Sequence, residues 1–63
     1  MPIYRTSSNY EFSTPEPGVV ARGTDKRFFG YVAFHFTTVQ QAVQWREEAP
    51  AERTWEHVTL VSE

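Results

Sequence analysis

The chain has 63 residues, no cysteine and a net charge of −2 at pH 7. A chain this short forms one domain at most and buries only ~60% of its unfolded surface, so little stability is expected to spare. The missing cysteine excludes disulfides, thiolate zinc sites and thiol nucleophiles. The acidic balance argues against a general nucleic-acid binder, and no apolar run of about 18 residues exists to span a membrane. What composition offers in return is aromatic: five Phe, three Tyr and two Trp, large rings that let a very small core hold together.

The opening "MPIYRTSSNY" has no apolar signal-like stretch, so no secretory leader is expected. A cysteine-free chain suits a reducing compartment, and a cytoplasmic location is the expectation. Ile3 to Thr6 reads as a brief strand, and Tyr10 and Phe12 alternate in a second candidate. Pro15, Pro17 and Gly18 then interrupt regular structure. Residues 1–18 are therefore expected to form a partly mobile arm laid over the rest of a single domain.

"GVVARGTDKRFFGYVAFHF" carries the strongest β signal. Val19 to Arg22 leads into "GTDK", read as a turn, and a long strand is expected from Arg27 to Phe36. Alternation along it places Phe28, Val32, Phe34 and Phe36 on one face, and Phe29, Tyr31, Ala33 and His35 on the other. Gly30 inside that strand suggests a bulge or a close backbone approach. Arg22, Lys26 and Arg27 flank the expected turn as a solvated basic tip.

"TTVQQAVQWREEAP" reads as a helix from 37 to 50. Thr38 and Gln41 have capping-box spacing, and Pro50 ends the segment. Val39, Ala42, Val43, Trp45 and Ala49 form its apolar side. Arg46 falls within that stripe, where its methylenes can lie along the core while its head leaves it. Glu47 and Glu48 sit in the last turn, where the helix dipole disfavours negative charge; with Glu52 they make an acidic corner that can meet a basic surface. "TWEHVTLVSE" is a final strand with Val58 and Leu60 on one face and Trp55, His57, Thr59 and Val61 on the other. Which of those faces meets the helix stays open, since one bulge inverts it. The expected fold class is α+β: a small antiparallel sheet of three to four strands, ordered β-β-α-β with a possible extra N-terminal strand, and one helix packed on one face.

Chemistry is sparse. His35 and His57 share a side of the sheet if their strands are neighbours, yet zinc needs three or four ligands, so no metal and no cofactor is expected. Asp25 is the only Asp, no serine occupies a nucleophile elbow, and the three glycines form no phosphate loop. "MPI" at this length resembles the start of the tautomerases typified by oxalocrotonate tautomerase, which implies Pro2 as a catalytic base. That family implies an early helix, and "TSSNYEFSTPEPG" cannot supply one, so the tautomerase reading is set aside and no catalytic residue is expected.

The uncovered sheet face is the stronger signal. Phe29, Tyr31 and His35 point away from the helix, with Trp55 and His57 as candidates to join them, and a contiguous aromatic patch marks an interaction surface. The competing outcome is that Tyr4, Tyr10 and Phe12 fold across and bury it. In length, element order and the helix pattern "TTVQQAVQW", the chain resembles the small host-directed proteins of bacteriophages, among them a short inhibitor of bacterial RNA polymerase. That resemblance implies a non-enzymatic protein-binding module acting on a larger host protein as inhibitor or adaptor, through Phe29, Tyr31, His35, Trp55 and His57 or the acidic Glu47 and Glu48. The alternative is a small accessory subunit that homodimerises through the same aromatic face.

Overall fold

The structure, a computed structural model describing residues 1–63, is a small α+β fold. Its elements are β1 (Ile3–Thr6), β2 (Glu11–Ser13), β3 (Ala21–Asp25), β4 (Val32–Phe36), α1 (Val39–Glu47) and β5 (Arg53–Ser62). All neighbouring strands are antiparallel, in the order β2-β1-β5-β3-β4. The sheet therefore has one strand more than expected, because both N-terminal candidates join it. What was expected to be an arm supplies β1 and β2.

The ten-residue β5 organises this arrangement. Its first half, Arg53 to His57, pairs with β3, and its second half, Val58 to Ser62, pairs with β1. The two partners lie on opposite edges of β5 and are staggered along it. Such a sheet curls, and the curl is visible in its outermost strands: Phe12 of β2 stacks on His35 of β4 with ring centroids 5.0 Å apart. Concave and convex faces are thereby defined.

Alternation assigns side chains to those faces. Gly23 lies across from Phe34 on one side and from Trp55 on the other, and all three face the helix on the convex side. The Trp45 ring lies over Gly23, whose missing side chain is what admits it. Phe34 and Phe36 flank that ring at 5.1 and 5.2 Å, while Ala21 and Ala42 are fully buried beneath it. The concave side holds Tyr4 stacked on Phe12 at 5.7 Å, with the Tyr4 hydroxyl accepting from the amides of Gly18 and Val19. That pair of bonds ties the Pro-rich connection to the sheet. Val39 and Val43 are exposed at the margins of the helix stripe, so Ala42, Trp45 and Ala49 make its inner side.

The capping box is as the sequence implies, although the helix, Val39–Glu47, is shorter than the expected 37 to 50. Thr38 Oγ1 accepts from the Gln41 amide at 3.2 Å, and Gln41 Oε1 accepts from the Thr38 amide at 3.3 Å. Arg46 is exposed, and its Nε donates to the Arg53 carbonyl at 3.3 Å, so it ties the helix to the start of β5.

One expectation fails in an instructive way. "GTDK" is no turn: Gly23, Thr24 and Asp25 belong to β3, and the connection is Lys26 to Tyr31. The long strand from Arg27 shrinks to Val32–Phe36. Gly and Asp are turn residues by local preference. Here tertiary demands override it, Gly23 being needed beneath Trp45 and Asp25 between two arginines.

Candidate functional site

Asp25 closes β3 and is completely buried. Its carboxylate accepts from the Arg27 amide at 2.9 Å, from Arg27 Nε and Nη2 at 3.1 and 2.8 Å, and from Arg53 Nε at 2.8 Å. Hydrogen bonds from the Arg27 side chain, then its amide and Arg53, hold the carboxyl far below the usual carboxylate range against the opposing effect of burial. Arg53 goes on to donate to the Trp45 carbonyl at 2.7 Å and to Glu48 Oε1 at 3.0 Å. Its guanidinium lies 4.8 Å from the Trp45 ring centroid. One buried carboxylate thus joins the strand end, the helix end and the root of the β3–β4 connection.

From that root projects an aromatic tip, Phe28 to Tyr31. Phe28 still touches the convex core through Phe34 at 6.3 Å. Phe29 is as open to solvent as in an extended peptide, and Tyr31 is 69% exposed. Between them Gly30 has φ +82°, a left-handed conformation that L side chains rarely adopt. It is the glycine's backbone freedom, not a strand bulge, that this position uses.

The remaining expected site residues scatter. His35 faces the concave side, where the Phe12 ring of the N-terminal hairpin stacks on it, yet its side chain stays exposed, so the hairpin reaches that part of the surface without burying it. Burial, reinforced by the charge of Arg22, pushes its imidazole pKa below the ordinary value. Trp55 and His57 face the convex side and meet edge-to-face at 4.9 Å. His35 lies across from Arg22 and His57 across from Ala21, so the two histidines occupy opposite faces rather than a shared one. No group of three or more His, Asp or Glu is placed to hold a metal ion. Glu48 is occupied by Arg53, which explains a carboxylate at an unfavourable helix end, whereas Glu47 is exposed with no ion-pair partner. Of the five residues expected to share the aromatic face, the fold brings Phe29 and Tyr31 to one exposed tip, leaves His35 on the concave side and sets Trp55 and His57 on the convex side. The physical reason is that strand alternation, which grouped them, begins only at Val32.

Sequence reasoning placed Arg22 in a solvated tip with Lys26 and Arg27. It lies at the other end of β3, in the concave face, with its guanidinium 4.9 and 5.2 Å from the Tyr10 and Phe12 ring centroids. Across the ladder stands Glu56. No signal in a single sequence gives that pairing, because register depends on how β5 is shared between β3 and β1. No protein-family model matches the chain, and neither a curated protein nor a solved structure matches it.

Proposed function

We propose that the protein is a non-enzymatic protein-binding module that inhibits or adapts a larger partner, with the Phe28–Tyr31 tip as its anchor. One observation carries the reading: Phe29 and Tyr31 are held out in solvent on a connection whose root is tied by a buried carboxylate. Exposing a whole phenyl ring forfeits ~1.5–3 kcal/mol that burial would supply. Aromatic anchors on a rigid base are the usual centres of protein interfaces, since they bring large area at little ordering cost. Lys26 stands beside the tip and joins no ion pair, so the fitting partner surface is an apolar pocket with an acidic rim. A host target, as for the phage proteins the chain resembles, belongs to this proposal.

A photo-crosslinking side chain placed at position 29, with the exposed helix position 44 as control, tests it in cells that contain the partner. A discrete adduct from position 29, absent from 44 and lost when Tyr31→Ser is added, supports the tip. Equal adducts from both positions sink it. An adduct between two copies of this chain replaces it with the accessory-subunit reading.

A further inference from the structure

Arg22 and Glu56 are direct partners across the β3–β5 ladder, where opposite charges normally close on each other. They do not pair: neither takes part in any ion pair. Each is held elsewhere by the N-terminal hairpin. The Arg22 guanidinium is stacked under Tyr10 and Phe12. Glu56 Oε2 accepts from the Ser7 and Ser8 hydroxyls at 2.9 and 3.3 Å, which leaves Oε1 without a protein donor. Arg22 has no acceptor at all, and its Nε is buried without one. A buried donor in that state is rare in folded proteins and calls for a reason.

Both residues line a groove of about 250 Å³, together with Thr24, Thr54 and Trp55. The Thr24 and Thr54 hydroxyls bond to each other at 2.9 Å. That volume falls short of the ~300–1,000 Å³ usual for drug-sized ligands, which suits a ligand of a few heavy atoms. The groove offers one cation, one anion and two hydroxyls. A simple anion gains from Arg22 and is opposed by Glu56, and a simple cation meets the reverse. A molecule with both charges is opposed by neither.

We infer that the groove lined by Arg22 and Glu56 binds a small zwitterion of the free amino-acid type, its carboxylate on the Arg22 guanidinium and its ammonium on Glu56. Charge-assisted bonds at both ends supply the recognition, and the hairpin that keeps the pair apart is what makes the site. This proposal does not depend on the aromatic tip.

The test is an amide NMR titration of the full chain with alanine, N-acetylalanine, alanine methyl ester and inorganic phosphate. Alanine is expected to give saturable shifts at residues 22, 24, 54 and 56, with a Kd of about 1 mM. N-acetylalanine and the methyl ester each lack one charge and are expected to bind at least about tenfold more weakly, as is phosphate. Glu56→Gln keeps an acceptor for Ser7 and Ser8 and so preserves the fold; it and Arg22→Gln are each expected to weaken alanine about tenfold. Phe29→Ser is expected to leave the titration unchanged. Absence of saturation, equal binding of alanine and either blocked form, phosphate matching alanine, or an unaltered Glu56→Gln variant would each overturn the assignment.

Discussion

Two pairs of opposite charges face each other across the same β3–β5 ladder, Asp25 with Arg53 and Arg22 with Glu56, and only the first has closed. Asp25 and Arg53 meet at 2.8 Å on the convex side, where the helix covers them and the Arg53 side chain is only 12% exposed. Removed from water, a charge must find a partner or destabilise the fold, so closure there is enforced. On the concave side there is no helix. The N-terminal hairpin lies over that face and offers competing attachments, ring faces for the guanidinium and hydroxyls for the carboxylate. The same charge types three rungs apart on one ladder thus serve two ends: a closed pair that fixes β3 to the helix terminus, and an open pair that leaves both charges available.

Breaking the closed pair gives the largest effect. Asp25→Asn keeps the shape but leaves Arg27 and Arg53 with a neutral acceptor in a site built for a carboxylate. The melting temperature is expected to fall by ~10 °C or more, read by circular dichroism. Acid sharpens the same point. The Asp25 carboxyl ionises far more readily in the folded chain than at the ordinary value of 3.8. On acidification below about pH 4 the unfolded chain therefore takes up the proton first, and stability present above that pH is progressively lost. The Asn variant is expected to lose less over that range, which urea midpoints at pH 5 and at about pH 2.5 would show.

Next in size is the contact that seats the helix over the closed pair. A methyl group added at Gly23 would collide with Cζ3 and Cη2 of Trp45 and lie 3.0 Å from the Thr54 carbonyl oxygen. Gly23 is buried, and the ring is hemmed in by Phe34 and Phe36, so it has little room to retreat. Gly23→Ala is expected to destabilise by ~1–3 kcal/mol, the usual range for overpacking, measured by urea unfolding. A loss below ~0.5 kcal/mol would show that the helix rests on the sheet more loosely than the geometry implies.

These two residues also show where sequence reading reached its end. Gly23 and Asp25 stand in "GTDK" and read as a turn on local preference, whereas both belong to β3. The helix, its Thr38–Gln41 cap, the final strand and the class of fold were legible because each rests on near-neighbour periodicity or spacing. Phe34 and Phe36 facing the helix followed from alternation, as did Trp55 and His57 sharing a face. What alternation could not supply was where β4 begins, so Phe29 and Tyr31 were assigned to a sheet face when they stand on a tip. Nor could it give register between distant strands, so neither cross-ladder charge pair was visible, and Arg22 was assigned to the wrong end of β3. Glu48 looked anomalous at the helix end until Arg53 was seen beside it.

A smaller effect reports on the open side. Burial and the charge of Arg22 lower the His35 pKa beneath its ordinary 6.5. As pH falls through about 6.5 the unfolded chain protonates before the folded one, so stability full above that pH declines until the folded imidazole also takes its proton. His35→Gln is expected to flatten the difference between urea midpoints at about pH 7.5 and 5.5. Arg22→Gln is expected to reduce it in part, because the charge of Arg22 is the lesser cause and the partial desolvation of the ring remains.

The smallest expected effect decides whether the hairpin truly holds the second pair open. If Ser7 and Ser8 restrain Glu56, then Ser7→Ala with Ser8→Ala removes the restraint and lets the carboxylate swing toward Arg22. The hydrogen bonds lost are exposed, and a partly exposed ion pair gained is worth ~0–1 kcal/mol. Unfolding stability should therefore change by less than ~1 kcal/mol in either direction. The groove should respond far more than the stability does, since closure of the pair removes both charges from it at once. Alanine binding lost with the melting temperature kept would mean that the two serines set the state of Arg22 and Glu56. Alanine binding retained in the double variant would mean that ring stacking on Arg22 alone keeps the pair apart. In that case Tyr10 and Phe12, and not the β1–β2 loop, distinguish the open pair from the closed one.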